Sequence, residues 1–152
     1  MKLAEALILR SDLQKRVDQL RERLYRSAKV QENEQPPEDP QELLQELDHL
    51  CAQLESIIKK INKTNSSVSF SSDQTIADAL AERDIIRMRR KVLADLIAHA
   101  SVKQDRYSRS EVKFYPTVQI AELQREIDKL AKKYRELDTK IQELNWRTDL
   151  IE

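Results

Sequence analysis

The stretch IAELQREIDKLAKKYRELDTKIQEL, residues 120–144, decides the fold class. Ile120, Leu123, Ile127, Leu130, Tyr134, Leu137, Ile141 and Leu144 step by three and four without a miss. That is a heptad seam with Ile or Tyr at a and Leu at d. Glu122, Arg125, Glu126, Asp128, Lys129, Lys132, Lys133, Arg135, Glu136, Asp138 and Lys140 cover the rest of the helix. So narrow an apolar stripe suits packing of helix against helix. At a rise of about 1.5 Å per residue it spans roughly 36 Å, longer than a bundle of short helices needs.

Three further segments repeat the pattern. Leu3, Ala6, Arg10, Leu13, Val17, Leu20 and Leu24 form a first seam with one arginine inside it, predicting a helix near 2–30. Its first turns, with Leu7, Ile8 and Leu9, are apolar nearly all round and predict more than one neighbour. The acidic, proline-containing run QENEQPPED, residues 31–39, reads as a surface connector. Asp39, Pro40 and Glu42 then signal a helix start, and Leu43, Leu47, Leu50, Leu54, Ile57 and Ile61 carry the seam of a helix near 40–63. Leu44, Cys51 and Ile58 add a second row, which predicts that this helix is the most central. Asn62 and Asn65 are candidates for a left-handed stop. A third helix is predicted near 74–100, with Arg83, Asp84 and Arg87 interrupting its apolar side, and the last near 118–148.

Composition bounds the rest. The 152 residues include no glycine, which excludes Walker loops and Rossmann fingerprints, because both need glycine backbone. Lys plus Arg and Asp plus Glu both number 27, so any charge argument is local. One cysteine, Cys51, fits a reducing compartment, and the expected location is the cytoplasm. No stretch approaches the roughly 18 apolar residues of a membrane span. The sequence predicts a single all-α domain over 1–152, an antiparallel bundle of about four long helices with coiled-coil character.

Candidate chemistry is sparse. Glu46 and His49 form one ExxH unit, but a di-metal bundle needs two, and His99 has Leu96 where the acid would stand. No metal, cofactor or catalytic set is therefore expected. The region 83–113 is basic and interleaved with Tyr107, and Phe114 and Tyr115 follow it, so binding of nucleic acid or a phosphate ligand is an alternative reading. The acidic helix surfaces offer those cations ample partners, which makes nucleic acid the weaker expectation. Arg10, Asp84 and Arg87 sit in or beside apolar rows, and a charge there demands pairing. They are expected to form a buried network holding the first and third helices in register. The connection 101–117 lacks helical period and alternates at Val112 and Phe114, predicting a small β element before the last helix. Within it Asp105, Arg106, Tyr107, Arg109, Glu111, Val112 and Phe114 are candidates for an assembly or ligand loop.

The pieces ILRSDLQKRVDQLRERL, AKVQENEQPPEDPQELL, INKTN, RDIIRMRR, QDRYSRSEVKF and YRELDTKIQELNW together resemble the septicolysin-type family of small bacterial helical proteins. The resemblance covers nearly the whole chain, and Asp105-Arg106-Tyr107-Ser108-Arg109-Ser110-Glu111 is its most specific piece. It brings no catalytic set, implies pore formation through the lysin name, and implies a hexamer built from dimers. From the residues themselves, the expected function is self-assembly into a homo-oligomer acting as a structural or interaction module.

Overall fold

The computed structural model describes residues 1–101 and 112–152. Among them the chain forms four helices and no strand: α1 (Leu3–Arg26), α2 (Pro40–Ser67), α3 (Ile76–Ala100) and α4 (Ile120–Arg147). The caps explain the starts. The Lys2 amide donates to Glu5 Oε2 at 2.6 Å ahead of α1. At α2 the Asp39 carboxylate accepts from the Gln41 amide at 2.9 Å, and Pro40 takes the first position, where its missing N–H is no loss.

The ends differ from expectation in physically legible ways. α1 stops at Arg26, where the Ser27 amide donates to the Arg23 and Leu24 carbonyls. α2 passes through Asn62 and Asn65 and ends at Ser67. Asparagine does supply a left-handed residue, at Asn33 in the connector, with φ of 70°. In a chain without glycine that residue type is a natural choice, because its short side chain tolerates the conformation. The β element expected before α4 rests on the alternation of Val112 and Phe114, and the described residues 112–116 make no strand; the rest of that connection, 102–111, lies outside the described residues. The serine-rich segment after α2 turns back on itself instead. Ser69 and Thr75 form an isolated antiparallel bridge, and the Phe70 amide donates to the Gln74 carbonyl at 2.7 Å.

The helices fall into two compact units, one of residues Met1–Ile76 with Gln142–Glu152, the other Ala77–Ile141. In the first, α1 and α2 run antiparallel, with Arg23 near the end of α1 reaching Glu46 near the start of α2. Leu3, Ala6, Leu13 and Leu20 are buried on α1, and Leu43, Leu50, Ile57 and Ile61 on α2. The second row of α2 is largely uncovered among the described residues, with only Ile58 half-buried. Leu44 and Cys51 are both exposed, so the buried side of α2 is a single stripe.

The C-terminal tail closes this unit through its own backbone. The Leu3 amide donates to the Thr148 carbonyl and the Leu150 amide to the Met1 carbonyl, each at 2.9 Å, and Lys2 pairs with Asp149 at 2.8 Å. Thr64 is fully buried; its hydroxyl donates to the Lys60 carbonyl at 2.8 Å and accepts from the Ile151 amide at 2.9 Å. Thr64→Val keeps the shape but leaves the Ile151 N–H without its acceptor. The expected loss is about 1–3 kcal/mol in urea unfolding, the cost of an unpaired buried donor. Thr64→Ser, which keeps the hydroxyl, should lose clearly less.

In the second unit α3 and α4 run antiparallel. Arg83 meets Asp138 near one end, Lys133 meets Glu82, and Arg89 meets Glu126 towards the other. The Arg90 guanidinium lies 5.5 Å from the centroid of the Tyr134 ring. Of the eight seam residues of α4, Leu130 and Ile141 are buried and the other six are half-buried. The core of this unit is correspondingly thin.

Candidate functional site

α3 carries two apolar rows. One, Ala79, Ile86, Leu93 and Ile97, is buried or half-buried and shares its spacing with two arginines, Arg83 and Arg90. The other, Ala81, Ile85, Met88 and Val92, steps by four, three and four on the exposed side. There Ile85 and Met88 are each 57% exposed and Val92 59%, values that place three large apolar side chains in water along successive turns. Scattered surface leucines are ordinary, but a contiguous stripe marks an interaction surface. A groove of about 390 Å³ lies beside it, lined by Ala81, Ile85, Ile86, Arg89, Leu130 and Lys133.

Charges flank the stripe on both sides, Glu82 and Arg89 on one and Asp84 and Lys91 on the other. Each has a partner within the chain. Glu82 reaches Lys133 at 3.6 Å, Arg89 reaches Glu126 at 3.7 Å, and Lys91 reaches Asp95 at 2.8 Å. Asp84 lies 3.5 Å from Arg83 and 3.6 Å from Arg87. These are mostly exposed, loose pairs, which contribute little to stability and are readily exchanged.

The expected buried network therefore looks different in the chain. Asp84 does meet Arg87, but both are exposed, and Arg10 is half-buried on α1, in the other unit. The core row itself carries two charges, Arg90 over the Tyr134 ring and Arg83, which pairs with Asp138 through Nη1 at 2.9 Å while its Nε is buried without a hydrogen-bond partner among the described residues. Its signal is present in the sequence, since Arg83 shares the spacing of Ala79, Ile86, Arg90 and Leu93. The exposed row is also visible there, but periodicity alone assigns Ile85, Met88 and Val92 to the core. Asp105, Arg106, Tyr107, Arg109 and Glu111 lie outside the described residues, whereas Val112 and Phe114 are described and strongly exposed.

The first unit holds a cleft of about 570 Å³, with Leu9, Leu13 and Ile57 as apolar walls and His49, Gln53 and Lys60 among its polar groups. His49 Nε2 and Gln53 Nε2 are 3.1 Å apart, and Glu46 is drawn towards Arg23 at 3.5 Å, so the ExxH pair is engaged locally. Among the described residues no three His, Cys, Asp or Glu side chains converge on one point. The shifted acids belong to this unit and each answers chiefly one cation. The Glu38 carboxyl is held below its usual range chiefly by the hydrogen bond from Arg23, whose own pKa is raised in return. Lys59 lowers Glu55 and Lys2 lowers Asp149 in the same way. No described helix is long and apolar enough to cross a membrane.

A family of unknown function (DUF6847) matches residues 10–150, and the chain belongs to that family. A crystal structure of a functionally unknown conserved protein from Corynebacterium diphtheriae is similar over 99% of both chains, at 44% identity and a TM-score of 0.91. No curated protein matches. These findings correct the septicolysin-type resemblance. Heptad seams such as ILRSDLQKRVDQLRERL and YRELDTKIQELNW resemble one another wherever helices pack in pairs, and the loop 105–111, the most specific piece quoted, lies within the stretch matched by the family of unknown function. The pore-forming activity and the hexamer that it implied fall with it. Neither the family nor the solved protein carries an assigned activity, so no specific activity follows from either.

Proposed function

We propose that this DUF6847 chain is a helical interaction module that associates with further copies of itself, its principal contact being the exposed face of α3. The observation that carries the reading is the row Ile85, Met88 and Val92, each more than half exposed on a helix whose other face already packs. Two features support it. The α4 seam is long and regular, yet six of its eight residues are only half-buried in the single chain. Of the cations of the basic region on α3, Arg83, Arg87, Arg89 and Lys91 each have a carboxylate within 4 Å and Arg90 lies over the Tyr134 ring, which weakens the alternative of a phosphate or nucleic-acid ligand. Val112, Phe114 and Tyr115 add a second exposed apolar patch of the same unit. The exposed thiol of Cys51 fits a reducing compartment, and we place the protein in the cytoplasm on that ground.

Light scattering coupled to size exclusion over a range of concentrations tests the proposal, in reducing buffer so that Cys51 cannot cross-link chains. The wild type should show mass above that of one chain, rising with concentration. Ile85→Glu with Val92→Glu should return the mass to 17.9 kDa while helicity and melting temperature stay close to wild type, because neither side chain is part of the chain's own core. Wild-type protein that stays at the mass of one chain throughout would overturn the reading.

A further inference from the structure

We infer that the exposed face of α3 pairs with the same face of a second copy in one antiparallel register, selected by the charges beside the stripe. The inference rests on self-association as proposed above and adds to it the partner element, its direction and its residue pairing.

With Ile85 and Val92 at a and Ala81 and Met88 at d, the flanking positions are Glu82 and Arg89 at e and Asp84 and Lys91 at g. Antiparallel helices pack a against d, so Ile85 meets the partner's Met88 and Val92 meets the partner's Ala81, twice each about a two-fold axis. This register brings Asp84 to the partner's Lys91 and Glu82 to the partner's Arg89. All four resulting contacts join opposite charges. Sliding the helices by one heptad instead sets Lys91 against the partner's Lys91 and Arg89 against the partner's Arg89. A parallel pairing sets Asp84 against the partner's Arg89 but leaves Lys91 facing Leu96 and Glu82 facing Ala77, so half of the flanking charges lose their partners. Only the first arrangement matches apolar layers and flanking charges together, which is how such helices choose a partner and a direction.

Its ends are also set. Asp78 would meet the partner's Asp95, so the tight overlap stops at the four apolar layers between residues 81 and 92. So short a seam buries less than the roughly 800 Å² per partner of a standard interface, and the contact should be concentration-dependent. The groove beside Ile85, with Leu130 on its far wall, offers room for a partner's apolar side chain. Recruiting Asp84 and Lys91 exchanges exposed pairs: among the described residues Asp84 has contacts at 3.5 and 3.6 Å, and Lys91 one with Asp95 at 2.8 Å on its own helix.

The experiment is charge exchange read by sedimentation equilibrium. Asp84→Lys places a lysine side chain against the partner's Lys91, and Lys91→Asp places a carboxylate against the partner's Asp84. Each variant alone should associate about tenfold more weakly than wild type, since two exposed pairs turn from attraction to repulsion. An equimolar mixture restores opposite charges at both contacts and should recover association to within about threefold of wild type, as should the double variant D84K/K91D. In a parallel pair position 84 faces Arg89 and position 91 faces Leu96, so K91D alone keeps its association, the double variant is as weak as D84K, and the mixture stays weaker than K91D. A mixture no stronger than either single variant overturns the register. If Ile85→Glu dissociates the protein but neither charge variant weakens it, this inference fails and self-association stands. If the wild type never associates, the failure is that of the underlying reading.

Discussion

Leu50→Ala is expected to lower the unfolding free energy by about 2–5 kcal/mol, and Leu44→Ala by less than about 1 kcal/mol, although both are leucines on α2. Leu50 belongs to the stripe of Leu43, Ile57 and Ile61 that meets α1, and it is 6% exposed. Its truncation removes methyl groups from a close-packed contact and leaves a cavity that neighbouring helices cannot fill by small shifts. Leu44 points away from that contact and is 43% exposed, so it gives up far less surface on folding than Leu50 and its truncation opens no enclosed cavity. Urea unfolding at a concentration where the protein is dissociated makes the comparison clean. An equal loss at Leu44 would mean that the second row of α2 is covered in the folded chain. The same contrast extends to Cys51→Ala, which should be near neutral because the thiol is exposed.

That contrast also marks where the sequence stops being legible. Heptad spacing, Asp39 and Pro40 place all four helices, because periodicity and caps are local properties of the chain. The end of α2 lies beyond Asn62 and Asn65 because asparagine permits a left-handed turn without requiring one. With Thr64 satisfied by the Lys60 carbonyl and the tail, the helix simply continues. Which of two apolar rows is buried is a different kind of information. Leu43 and Leu44 have the same composition and neighbouring phases, and only the position of α1 decides between them. The same ambiguity hides the candidate site. Ile85, Met88 and Val92 satisfy a helical period as well as Ile86, Leu93 and Ile97 do, and the sequence does not say which row meets α4. Asp84 and Arg87 are legible as charges beside an apolar row, but their exposure makes their use depend on what covers that row.

Arg83 and Asp138 should respond to substitution asymmetrically. Arg83 is one of the two charges embedded in the α3 row that packs, with its side chain 20% exposed, and Asp138 beside it on α4 is 32% exposed. Removing Asp138 leaves a largely desolvated guanidinium without its nearest counter-charge, a change that typically costs about 3–5 kcal/mol for a fully buried pair. Partial exposure reduces this, and about 2–3 kcal/mol is the expected loss for Asp138→Ala. Arg83→Met behaves differently. It removes the cation together with an Nε that is buried and has no hydrogen-bond partner among the described residues, and it supplies an unbranched apolar chain of similar length. The Asp138 carboxylate that remains is a third exposed and can take up water, so the net change should lie within about 1 kcal/mol of wild type and can be stabilising. Denaturant unfolding of the two single variants and the double Arg83→Met/Asp138→Ala closes a double-mutant cycle, and the double should recover most of the stability lost in Asp138→Ala. A large loss in Arg83→Met that the second substitution does not relieve would mean that the guanidinium has further favourable contacts. It would then stabilise the pairing of α3 with α4 rather than merely be tolerated there.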